Sequence, residues 1–174
     1  QLAGGSGGPI RQFVISGNTF KNFQLMLSVS GVQDGVITQN KFLMEKGRDS
    51  GTGRSNFGLP NVGLWIFDNA SGSNSGLSII DNEYDGCADL AYNLLSQSQS
   101  HLCGDGFIFG QPVGATISNN TIRHFSFEGI NIGPLLTTQG VTTLSENIIS
   151  VITPAGTTNR GGHTGIRVDT SGTI

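Results

Sequence analysis

One eight-residue unit recurs five times along the chain, and a unit repeated in fixed register restricts a fold more than any composition does. The copies are Phe13 to Phe20 (FVISGNTF), Gly35 to Phe42 (GVITQNKF), Leu77 to Tyr84 (LSIIDNEY), Ala115 to Ile122 (ATISNNTI) and Thr142 to Ile149 (TTLSENII). Every copy has Asn at its sixth place: Asn18, Asn40, Asn82, Asn120 and Asn147. Three residues earlier stand Ile15, Ile37, Ile79, Ile117 and Leu144, and two later stand Phe20, Phe42, Tyr84, Ile122 and Ile149. Hairpin turns in an ordinary sandwich would not demand the same apolar residues on both sides of the Asn each time.

A strand of period two puts the apolar residue before the Asn inside. The Asn, tolerant of the left-handed region, is expected to bend the chain before the next strand. Stacked about 4.8 Å apart, the five Asn side chains form a ladder, each amide donating to one neighbour and accepting from the other. Polar groups that burial would orphan are satisfied in this way.

The ladder positions fall 22, 42, 38 and 27 residues apart, so the coils differ in length while the unit does not. A second recurring strand locates the extra residues: Gln24 to Ser28 (QLMLS), Gly63 to Phe67 (GLWIF), Gly106 to Gly110 (GFIFG), Gly129 to Gly133 (GINIG) and Gly165 to Asp169 (GIRVD). Counting this as the first strand, each coil has three. The long excursions, Glu45 to Asn61, Gly86 to Gly104 and Thr153 to His163, all precede it, so they crowd one corner and wall one face.

The fold expected is all-β, a right-handed single-stranded parallel β-helix of about five coils over residues 10–174, after a Gly-rich segment, 1–9. The repeat resembles that of the pectin-lyase-like superfamily, with its internal asparagine ladder. In that family the sugar-binding cleft lies on the first-strand face beside the same corner, and the resemblance implies the same location here.

Composition agrees with a turn-rich β protein. Gly numbers 27, yet hydrophobic residues make up 36% and arrive in short β-branched runs. A net charge of −3, with charged residues only 12% of the chain, offers no basic surface for nucleic acid. No apolar stretch approaches the roughly 20 residues needed to span a bilayer. Cys87 and Cys103 bracket a polar segment and suit a disulfide in an oxidising compartment, with two free thiols as the alternative.

On the first strand, Leu64, Phe107, Ile130 and Ile166 are expected inside. Met26, Trp65, Ile108, Asn131 and Arg167 then form an external column. Trp65 can stack on a sugar ring and Arg167 can fork onto a uronate carboxylate, with Asn131 between them; alternatively the Glu45–Asn61 excursion buries Trp65. Just before the strand glycine stand Val62, Asp105, Glu128 and Thr164. Asp105 and Glu128 would lie about 5 Å apart in successive coils, close enough to raise one pKa and to serve as a glycosidic acid/base pair, with His163 beside them.

HLCGDGFIFG and GGHTGIRVDT resemble segments of galacturonan hydrolases in the same superfamily, but depart from the catalytic pattern. Glu128-Gly129 replaces an Asp-Asp pair, Gly162-His163-Thr164 a Gly-His-Gly, and Arg167-Val168-Asp169 an Arg-Ile-Lys. Nor is there the acidic calcium cluster of a pectate lyase; Asp81, Glu83 and Asp85 alternate as solvated residues do. No metal or other cofactor is expected. His101 and His124 read as surface polar residues, and Asn69-Ala70-Ser71 and Asn119-Asn120-Thr121 as sequons that matter only in a eukaryotic source.

Two functions follow from these residues. One is a secreted or surface module that binds, and with Asp105 and Glu128 cleaves or modifies, an acidic polysaccharide or cell-surface glycan. The other is a structural or adhesive element stacking end to end with copies of itself, as part of a longer solenoid with open ends.

Overall fold

A computed structural model describes residues 2–4, 8–23, 25–44, 48–49, 62–67, 74–86, 101–102, 104–110, 114–125, 128–133, 141–150 and 164–168. Among these residues the regular elements are all strands, and the large sheets are stacks of parallel strands, as in a solenoid. No helix among them is long and apolar enough to cross a membrane.

The first stack runs Leu2–Ala3, Leu25–Ser30, Val62–Phe67, Asp105–Phe109, Glu128–Ile132 and Thr164–Val168. The second holds Val14–Ser16, Val36–Thr38, Ser78–Ile80, Thr116–Ser118 and Thr143–Ser145. The third holds Thr19–Lys21, Lys41–Leu43, Glu83–Asp85, Thr121–Arg123 and Ile148–Ser150. From Val14 onward the chain visits second, third and first stacks in rotation. Each strand therefore pairs with its equivalent one coil away.

The repeat dictates the register. In the second stack Ile15, Ile37, Ile79, Ile117 and Leu144 pair in one row, and in the third Phe20, Phe42, Tyr84, Ile122 and Ile149 do so. Both rows point into the core, where the rings of Phe20 and Phe42 stack with centroids 5.1 Å apart. Leu64, Ile66, Phe107, Phe109, Ile130 and Ile132 close the core from the first stack. Each such buried side chain stabilises by about 1.5–3 kcal/mol against exposure.

Between second and third stacks runs the Asn ladder. The backbone N–H and Nδ2 of Asn18 both donate to Asn40 Oδ1, at 3.0 and 3.1 Å. Asn40 does the same to Asn82, Asn82 to Asn120, and Asn120 to Asn147. Each amide from Asn40 to Asn147 also donates to a carbonyl of the preceding coil, Ile15, Ile37, Ile79 or Ile117.

The left-handed bend expected at the Asn sits one residue earlier. Gly17, Gln39, Asp81, Asn119 and Glu146 have φ between 54° and 68°. The Asn itself is needed for its side chain: with the preceding residue turning the chain, its amide enters the corner and bonds in both directions along the axis.

Three further differences from expectation concern the first stack and its surroundings. Leu2–Ala3, within the segment read as a Gly-rich lead, forms a strand paired with Val29 and Ser30. A short corner pair, Ile10–Arg11 with Val32–Gln33, continues as a bridge to Ser75. Asn74 is fully buried there, accepting from the Val32 N–H at 3.2 Å and donating to Phe67 O at 3.0 Å. It lies outside the eight-residue unit, so the repeat carries no sign of it. Finally, Ile166 pairs with Ile130 yet is 46% exposed, because among the described residues no strand lies beyond it.

The first two excursions meet: Arg48–Asp49 pairs antiparallel with His101–Leu102, His101 opposite Asp49. Backbone hydrogen bonds thus join one excursion to the other beside the first stack.

Candidate functional site

The outer row of the first stack is Ser28, Trp65, Ile108, Asn131 and Arg167, paired strand to strand. Ser28 takes the place expected for Met26. The strand begins with Leu25 opposite Val62, so the register of the first coil slips by two and Met26 falls in the row of Gly63. That row turns toward the core: a Cβ on Gly63 would collide with the Tyr84 ring, and one on Gly129 with Ile149 Cγ2. Met26 is accordingly buried with the core side chains.

Trp65 is half-buried, its ring tilted against Phe67 with centroids 5.3 Å apart. Most of the Glu45–Asn61 excursion, the alternative cover for Trp65, lies outside the described residues, as do His163, Cys87 and Cys103.

One row over, Val62 pairs with Asp105 and Glu128 with Thr164. The Glu128 N–H donates to Asp105 Oδ1 at 3.1 Å, bringing the two acidic residues together across adjacent coils. Asp105 is buried, and burial pushes its carboxyl up from the ordinary 3.8 to about 7; the bond from the Glu128 N–H works against this rise and the Glu128 charge adds to it. Arg167 reaches back across the sheet, and its Nη1 donates to Glu128 Oε1 at 3.1 Å.

The two carboxyls therefore sit in different surroundings. One is withdrawn from water and is in part protonated near neutral pH, while the other is ion-paired with a half-exposed guanidinium. Such a split is what acid/base chemistry on a glycosidic bond requires. Trp65, Ile108 and Asn131 supply a half-buried, partly apolar strip along the same strands.

His124 is not the isolated surface residue its sequence suggests. It follows Thr121–Arg123 at a corner, in the left-handed region (φ 51°), and is buried with Nδ1 2.7 Å from Asp85 Oδ1. A carboxylate only accepts, so this bond puts a proton on Nδ1. Nε2 is buried without a hydrogen-bond partner. Asp85 is correspondingly not a solvated acid, whereas Glu83 is a surface group between Lys41 and Arg123 at 3.7 and 3.8 Å. The signal for the His–Asp pair was present in the register, since Asp85 pairs with Arg123 and His124 comes next.

Among the described residues no three His, Cys, Asp or Glu side chains gather as a metal site. No family model, curated protein or solved structure matches the chain, so its architecture and site stand on their own geometry.

Proposed function

We propose that this chain is an extracellular right-handed β-helix of about five coils, of the pectin-lyase-like type, that binds an acidic polysaccharide along its first-strand face and cleaves it. The observation carrying this reading is the outer row of Trp65, Asn131 and Arg167 together with the paired Asp105 and Glu128 at the start of the same strands. Trp65 stacks on a sugar ring, Arg167 meets a uronate, and Asp105 gives its proton to the leaving oxygen while Glu128 activates water or attacks. The departures from the galacturonan hydrolase pattern leave the linkage cut to this chain's own residues.

Incubation with acidic oligosaccharides tests it, with binding followed by calorimetry and cleavage by new reducing ends. Trp65→Ala and Arg167→Ala are expected to weaken binding at least tenfold. Asp105→Asn and Glu128→Gln should abolish cleavage and leave binding in place. Parent protein that neither binds nor cleaves any uronate oligomer sinks the reading.

End-to-end assembly is favoured by one observation. The outermost described strands expose Val14, Ile148, Ile166 and Val168. It requires mass to rise with concentration in sedimentation, and a monomer at millimolar concentration removes it.

A further inference from the structure

Arg167 is the one basic residue on the described strands of the first stack, whose acids are Asp105 and Glu128. A polyanion held along these strands depends on that cation, yet the cation is already engaged. In register Arg167 pairs with Asn131, but its side chain leans back toward the row of Glu128 and Thr164, where Nη1 donates to Glu128 Oε1 at 3.1 Å. Glu128 is anchored in turn by its own backbone, its N–H donating to Asp105 Oδ1 across the coils.

The two partners are held unequally. The Glu128 side chain is 19% exposed and that of Arg167 51%. An ion pair with a half-exposed guanidinium is worth little in water, because solvent and salt screen it and two long side chains must be fixed to keep it. A second carboxylate brought to the guanidinium can exchange with the first at small cost. A uronate that met Arg167 while Glu128 kept the pair would set two like charges against each other on one cation. Exchange removes that repulsion.

We propose that Glu128 is a built-in competitor for the substrate carboxylate, and that a uronate binding to Arg167 releases it. The contact is autoinhibitory: while the pair is closed the guanidinium occupies Glu128 Oε1, and on release that oxygen is open to water or to the sugar. An uncharged sugar, or a uronate masked as its ester, brings no anion to exchange and leaves the pair closed. The substrate class narrows to polymers with a free uronate carboxylate beside the bond that is cut. This inference rests on the proposed function for the chemistry that follows release, whereas the competition is a matter of binding alone. Such coupling is reciprocal, so the affinity that a uronate loses to Glu128 returns when the Glu128 charge is removed.

The test is an NMR titration of the full chain at neutral pH with galacturonate, a monosaccharide that cannot be cut, followed at the Arg167 Nε–H in the parent and in Glu128→Gln. The variant keeps the size of the side chain and the N–H bond to Asp105. From the worth of an exposed ion pair, its Kd should be lower than the parent's by about twofold to fivefold. In the parent the Glu128 carboxyl carbon should shift as galacturonate saturates and stay in place with the methyl ester. An equal or weaker affinity in Glu128→Gln overturns the proposal, as does a Glu128 carboxyl that does not respond. If neither protein binds galacturonate, the proposal and the functional reading fall together. Tighter binding by Glu128→Gln in a protein that cleaves no uronate oligomer keeps the competition and rejects the enzymatic reading.

Discussion

The corner between second and third stacks and the corner before the first stack are built on opposite terms. At the first, the five described pairs of strands turn in the same way, no residue is inserted, and each Asn amide bonds along the axis to the next. At the second, the connection varies from the three residues between Lys21 and Leu25 to the nineteen between Asp85 and Asp105. The buried polar groups there are individual: Asp105 on the Glu128 N–H, and His124 on Asp85. A corner that satisfies its polar atoms by repetition cannot change without breaking the stack. One that does so case by case is free to acquire loops, buried acids and, with them, chemistry.

The sharpest way to break this contrast is to remove one rung. In Asn82→Ala, Asn40 loses its acceptor for two N–H groups, and Asn120 Oδ1, Ile37 O and Ile80 O lose a donor. All of this lies in or beside the core. At about 1–3 kcal/mol for each orphaned group the expected loss is about 5 kcal/mol or more, enough to consume the stability of an ordinary domain. Chemical denaturation should find the variant unfolded or nearly so. A loss below about 1 kcal/mol would mean that the stack does not depend on the ladder.

The other corner carries the opposite sign. Asp105 binds its proton more tightly folded (about 7) than unfolded (3.8), so the native state holds more protons across that window. Stability therefore falls as pH rises from about 4 through about 7 and is flat above, the total being on the order of 4 kcal/mol for this group alone. Asp105→Asn keeps an acceptor for the Glu128 N–H and removes the buried charge. It should flatten that slope and be more stable than the parent at pH 8 in urea melts. Equal pH slopes for the two proteins would show that Asp105 is not buried as described.

How far each corner could be read from sequence follows from the same difference. The ladder and the two inward rows come from residues that repeat, and their register follows at once from aligning Asn18 with Asn147. So does the pairing of Trp65, Ile108, Asn131 and Arg167, because a strand glycine marks four of the first strands. The first coil has Met26 where the others have that glycine, and there the alignment slips by two. Asn74 and the His124–Asp85 bond escape for a further reason. Each occurs in a single coil and depends on which residues meet across coils, not on a pattern along the chain.

The smallest expected effect separates the two residues that share the ladder corner. If the Asn were the residue that bends the chain, glycine would serve at its place. Gln39, at φ 55°, is the one that occupies the left-handed region, where a non-glycine residue costs about 1 kcal/mol; Gly17 fills the same place in the preceding coil. The backbone there already suits glycine, and Gln39 is exposed with no core contact to lose. Gln39→Gly should leave stability unchanged or raise it by up to about 1 kcal/mol, the gain offset in part by the entropy of the more flexible unfolded chain. Asn40→Gly, one residue on, should fail as Asn82→Ala does. A midpoint of urea unfolding that drops for Gln39→Gly as far as for Asn40→Gly would return the bend to the Asn and undo the distinction between the residue that turns the corner and the one that fills it.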